Sequence, residues 1–167
     1  MIDKQLVFTD LEFDNAEEVI RFGADKLYKA GYTKETYGDS VVEREKEFPT
    51  GLPTEPFGIA IPHTNSSFVK KSGICCIKLK KPVVFHQMGN GEENIEAHFV
   101  ILLAISDSSE HLELLSGLME LFTNEELLTQ MEEAENEEKI AEILERQQQK
   151  PEQLKQLYKT RACHEHA

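Results

Sequence analysis

The chain is short of cations, cysteine, proline and glycine, and each shortage removes a class of protein. Eighteen Lys and Arg stand against 31 Asp and Glu, a formal net charge of −13 at pH 7 over 167 residues. A polyanion is repelled by such a surface, which argues against nucleic acid as partner and suits a basic protein surface instead. There are three cysteines. Cys75 and Cys76 are neighbours in a strand-like run, so their side chains point to opposite faces and do not readily pair, and Cys163 stands alone in the tail. An odd count without a framework fits a reducing compartment. With 9 Gly, 6 Pro and 40% hydrophobic residues the composition is that of an ordered globule. No apolar run approaches the roughly 20 residues that cross a bilayer, and Met1–Gln5 lacks the charged-then-apolar layout of a secretory signal, so the expected location is cytoplasmic. His-Glu-x-x-His, Walker and Gly-x-Ser-x-Gly elements are all missing, so no cofactor, metal or nucleotide is expected.

What is present reads as one domain over residues 1–160, with 161–167 as a tail expected to fray. Asp14 and Glu17 form an Asp-x-x-Glu start for a helix that ends at Gly31, with Val19, Ile20 and Leu27 on one face. A second helix is predicted from about Thr33 to Lys46, with Tyr37, Val41 and Phe48 inward. Three prolines between Pro49 and Pro56 mark a loop. Strands are expected over Phe57–Ile61, Gly73–Lys80 and Ala97–Ile105, the last apolar enough to be covered on both faces, with Gly89-Asn90-Gly91 as a turn before it. From Ser109 onward the spacing is helical, through Leu112, Leu115, Met119 and Phe122 to Leu154, Leu157 and Tyr158. Helices, then strands, then helices indicate an α/β (α+β) domain, a mixed sheet with helices on both faces.

The chemistry-bearing stretch is Phe57-Gly58-Ile59-Ala60-Ile61-Pro62-His63-Thr64. Gly, Ala and β-branched residues suit a tightly packed strand, and Pro62, without an N–H, belongs at its end. A rigid post results, with the His63 imidazole at its tip. Neutral imidazole is a good nucleophile near pH 7, because an ordinary pKa of about 6.5 leaves one ring nitrogen unprotonated. The other nitrogen needs a fixed acceptor, for which carbonyls of the Thr64–Ser67 turn are the candidates. Taken alone, a histidine after a proline is more often a plain loop residue.

The octapeptide resembles the active-site signature of enzyme IIA proteins of the mannitol/fructose type, components of the sugar phosphotransferase system. Gly58, Ala60, Pro62 and His63 match that signature, with Ile59 and Ile61 in its hydrophobic slots. The resemblance implies the mannitol-type EIIA fold and a phosphohistidine at His63. It also implies a second histidine after the apolar strand, here His111 in Glu110-His111-Leu112, as stabiliser of the phosphoryl group; by position alone His111 is a surface histidine at a helix start. Glu43-Arg44-Glu45 is similar to a Glu-Arg-Glu element of the family, which makes Arg44 a phosphate contact; by itself it reads as an arginine held by its flanking glutamates. His86 and His98 read as surface and half-buried polar residues, and Cys163, His164 and His166 lack a fourth ligand at zinc spacing.

With no nucleotide element, the resemblance implies that phosphate arrives on His63 from the carrier HPr. It then leaves to a cysteine of a IIB protein that serves a membrane IIC transporter. The long Phe48–Pro56 loop looks most like the galactitol-type proteins. Two alternatives stay open: a regulatory phosphoprotein of the nitrogen-related branch that acts by binding, and an inert interaction domain. Apolar side chains (Phe57, Phe68 and Leu112) are expected to ring His63 as a docking surface.

Overall fold

The computed structural model describes residues 2–106 and 111–147, apart from the side chains of residues 111–115. Its order is β1 (Val7–Leu11), α1 (Ala16–Lys29), α2 (Tyr37–Glu47), β2 (Gly51–Leu52), β3 (Gly58–Ala60), β4 (Gly73–Gln87), β5 (Asn90–Ala104), α3 (His111–Phe122) and α4 (Glu125–Glu133), followed by a helical stretch over 137–147. The expected helical continuation through Leu154 and Tyr158, and the residues 107–110 ahead of α3, lie outside the described residues. Among the described residues, no helix is long and apolar enough to cross a membrane.

Helix α1 starts one residue later than the Asp14 reading. The Asn15 side chain accepts from the Glu18 N–H at 3.0 Å, and the Glu18 carboxylate accepts from the Asp14 N–H at 2.8 Å. A short amide at the cap satisfies helix-end donors as an aspartate would, so either residue type is a legitimate start. Gly31 ends the helix at φ +86°, with Tyr32 N–H returning to the Leu27 carbonyl at 3.0 Å in a Schellman closure that favours glycine. Helix α2 is shorter than expected: Thr33 bridges Val69 instead, and Phe48 is 56% exposed while Tyr37 and Val41 are buried.

The sheet is centred on one long antiparallel hairpin, β4–β5, closed by Met88-Gly89 with Gly89 at φ +78°. β1 adds in parallel to β4 and β3 in parallel to β5, while β2 pairs antiparallel with β3 and touches the end of β4 at Gln87. Alternation divides the core in two. Cys75, Ile77, Val100 and Leu102 face α1 and α2, whereas Ile74, Cys76, Ile101 and Leu103 face α3, α4 and the 137–147 helix. The expected mixed sheet with helices on both faces is therefore present, and the two cysteines do lie on opposite faces. Two glycines permit the close approach of β2 and β3 to the hairpin. A Cβ on Gly51 would lie 2.6 Å from the His86 carbonyl oxygen, and one on Gly58 would lie 2.8 Å from that of Glu96.

Candidate functional site

β3 itself is only three residues long, but the chain stays extended beyond it. Ile61 N–H donates to the Thr50 carbonyl at 3.2 Å, and Leu103 N–H donates to the Pro62 carbonyl at 3.0 Å. His63 continues this contact as a parallel bridge to Leu103. Proline thus sits where only its carbonyl is needed, with its missing N–H costing nothing. The histidine is half-buried at the end of a post pinned on both sides.

Nδ1 of His63 is 2.8 Å from the Ile61 carbonyl oxygen. A carbonyl only accepts, so this nitrogen is the donor, and in the neutral ring the lone pair is on Nε2. The orienting acceptor therefore precedes the histidine instead of lying in the Thr64–Ser67 turn. Within that turn Asn65 caps the short helix Ser66–Phe68 by accepting from the Ser67 N–H at 3.1 Å.

Three side chains of α2 hold the surrounding segments. Tyr37, wholly buried, donates to the Leu103 carbonyl at 2.6 Å, and burial pushes its phenol above the ordinary range. Ser40 and Thr64 share a 2.5 Å hydroxyl contact immediately after His63. Glu45 accepts from both the N–H and the hydroxyl of Thr50, each at 2.8 Å. Burial raises the Glu45 carboxyl to about 7 against the lowering effect of the two Thr50 bonds. In the sequence Glu45 stands out only as a flank of Arg44, and Ser40 and Thr50 do not stand out at all. Thr50 lies in the Pro-Thr-Gly loop, and its pairing with a glutamate of α2 is not readable from the chain.

Arg44 lies on α2 one turn beyond Ser40, so it shares the stripe that faces Thr64. It is exposed, with its guanidinium 5.3 Å from the Phe48 ring centre. Among the described residues neither flanking glutamate holds it: Glu43 pairs with Lys46 at 3.2 Å and Glu45 with Thr50. His111 opens α3, but its side chain and that of Leu112 lie outside the described part, as do residues 107–110, Cys163, His164 and His166.

Of the apolar ring expected around His63, Phe57 is a core residue, 8% exposed and stacked on Phe99 and His98 at 5.7 and 5.1 Å. Alternation along β3 turns it, with Ile59, into the face covered by α3 and α4. Phe68 is half-buried against the α1/α2 side. His86 is exposed, and His98 is half-buried 3.9 Å from a Glu132 carboxylate oxygen. Burial pushes the Cys75 thiol up to about 12 and Cys76 up as well, which makes both poor nucleophiles.

Residues 1–147 match the family described as the phosphoenolpyruvate-dependent sugar phosphotransferase system, EIIA 2. The mannitol-specific EIICBA component of Pasteurella multocida is 31% identical over 147 residues, 86% of this chain but 22% of that protein, so the chain spans about a fifth of this relative's length. The galactitol-specific EIIA component of Escherichia coli K12 is 29% identical over 67% of this chain and 74% of its own length. Among solved structures, the Escherichia coli mannitol IIA is 25% identical with a TM-score of 0.70, covering 86% of this chain and 99% of that one. The complex of IIAMTL and phosphorylated IIBMTL from the same organism matches in fold at a TM-score of 0.71 and 24% identity, over 86% of this chain and 96% of that one. The relatives are thus divided among sugar specificities at similar distances, while the family is common to them. The chain belongs to the EIIA type 2 family of the phosphoenolpyruvate-dependent sugar phosphotransferase system, whose mannitol/fructose-type domains carry a phosphoryl group.

Proposed function

We propose that His63 is the phosphoryl-carrying residue and that Nε2 is the atom that carries it. The observation behind this reading is the Nδ1 hydrogen bond to the Ile61 carbonyl, which leaves the Nε2 lone pair as nucleophile. In the forward step this lone pair attacks the phosphorus of the HPr phosphohistidine. The P–N bond to the donor breaks, its electron pair returns to the donor ring, and an Nε2–P bond forms. The Nδ1 proton stays in place, and the Ile61 carbonyl dipole stabilises the positive charge that the ring gains. The reverse geometry then delivers phosphate to a cysteine thiolate of a IIB protein coupled to a membrane IIC transporter. Little covalent work is left to the protein beyond positioning and charge stabilisation.

Arg44 is assigned to the phosphoryl oxygens because it lies on the stripe of α2 that meets Thr64 and is not engaged by its flanking glutamates. His111 is assigned the same role from the helix that follows β5, the strand His63 bridges; an N-terminal turn favours anions. The cargo is a polyol of the galactitol kind, on the strength of the long loop through Pro49–Pro56 and a galactitol-specific relative that matches over most of its own length. Incubation with phosphoenolpyruvate, enzyme I and HPr tests the reading. One acid-labile phosphate should appear on the native chain and none on a folded His63→Ala variant; label that survives in the variant refutes it.

A further inference from the structure

Resting on that reading of His63, we propose that Glu45 is the positioning residue that sets the orientation and tautomer of the His63 ring through Thr50 and Ile61. Neither Glu45 nor Thr50 reaches the ring. Their effect passes through three consecutive links. The carboxylate grips Thr50 by two 2.8 Å bonds, the Thr50 carbonyl accepts the Ile61 N–H at 3.2 Å, and the Ile61 carbonyl accepts His63 Nδ1–H at 2.8 Å. The middle link is the critical one. Ile61 lies just past the end of β3, where the β2–β3 ladder of Gly51 with Ala60 and Leu52 with Ile59 has run out. Without Thr50 held in place, the Ile61 N–H has no fixed partner on that side, the residue can turn about its backbone bonds, and the ring loses the fixed carbonyl acceptor that selects its Nδ1–H form.

The anchor is insensitive to the protonation of the carboxyl. A carboxylate accepts both Thr50 donors. A carboxylic acid still accepts the N–H on one oxygen and donates from the other to the Thr50 hydroxyl, which serves in either sense. A glutamine in the same place can do likewise through its carbonyl and amide. Alanine cannot, and it leaves the Thr50 N–H, 2% exposed as a residue, without an acceptor. Helix α2 therefore does more than cover the sheet. It anchors β5 beside the histidine through Tyr37, the residue after it through Ser40, and, by way of Thr50, the Ile61 backbone before it through Glu45.

The test compares Glu45→Ala, Glu45→Gln and Thr50→Val with the native chain by two readouts. Long-range proton–nitrogen NMR of histidine-labelled, unphosphorylated protein reports which His63 nitrogen holds the proton. The rate of phosphoryl transfer from phospho-HPr reports the consequence. Glu45→Ala should lose the single Nδ1–H form and slow transfer by about 10- to 100-fold, the scale of a small misplacement at a reacting atom. Glu45→Gln should keep the Nδ1–H form and restore the rate to within about threefold, as a preserved hydrogen-bond geometry requires. If Glu45→Ala does not fold, Thr50→Val, which deletes one hydroxyl, should still show a mixed tautomer. A pure Nδ1–H ring in Glu45→Ala or, failing that, Thr50→Val overturns the proposal, as does a Gln variant as impaired as the Ala one. If the native chain takes no phosphate at all, the carrier reading fails, while the NMR readout still decides the role of Glu45.

Discussion

The raised carboxyl of Glu45 makes a quantitative prediction about stability. Its ordinary value of 4.5 rises to about 7 in the folded chain, mainly because burial penalises the ionised form. The folded state therefore holds this proton more tightly than the unfolded state. Stability from this group is fully present below about pH 4.5 and is lost as pH rises through about 7. The rise from 4.5 to about 7 corresponds to roughly 3 kcal/mol in total, of which roughly 2 kcal/mol is lost between about pH 5.5 and 8. Glu45→Gln keeps the anchor but has no proton to lose. Urea unfolding of both chains across that range should show Glu45→Gln gaining about 2 kcal/mol on the native protein, with the gap opening towards alkaline pH. Parallel stability curves, or a gap that opens towards acid, would refute the burial argument. The other carboxylates cancel in this comparison because both chains share them.

Other perturbations have equally definite outcomes. Arg44→Ala should cut acceptance of phosphate from phospho-HPr by about 10- to 100-fold, the worth of a charge-assisted bond to an anion, and an effect below twofold would remove Arg44 from the site. His111→Ala should still be labelled but pass phosphate to IIB more slowly, as measured by single-turnover transfer; an unchanged rate would assign His111 no part in the transfer. Gly58→Ala drives a methyl to within 2.8 Å of a backbone carbonyl and should cost about 1–3 kcal/mol in chemical denaturation, whereas an unchanged midpoint would show that β3 and β5 can separate freely.

Much of the domain could be read from the chain, because strong local signals agree with its tertiary structure. The α1 face, the helical stop at Gly31 and the apolar run of β5 are of this kind. The misses have particular causes. β1 is short and carries no local strand pattern, its pairing with β4 being long-range. β4 was expected to stop near Lys80, before Lys81-Pro82, yet it continues to Gln87. A register irregularity between Lys78 and Val83 takes Pro82 out of the ladder, where its missing N–H does no harm. The Pro-rich loop hides β2, whose two residues are held by β3 and β4 beside the Thr50 that Glu45 grips, none of which leaves a local pattern. At the site, the position of His63 was legible from the strand and proline. Its acceptor was not, because the backbone turns the ring back towards Ile61 and not on towards Ser67.

The β4–β5 hairpin has an implication for the order in which function is acquired. Its two arms meet across a two-residue turn, so closing it costs little chain entropy and it can form early. The frame of the histidine is the opposite case: Tyr37 and Leu103, which meet beside it, are 66 residues apart in sequence. A folding or partly opened chain can thus possess its longest ladder and most of its regular structure while the imidazole has no defined orientation. Competence to carry phosphate is then the last property gained on folding and the first lost on local opening. An assay of transfer would detect loosening of α2 before hydrogen exchange in the hairpin registered any change.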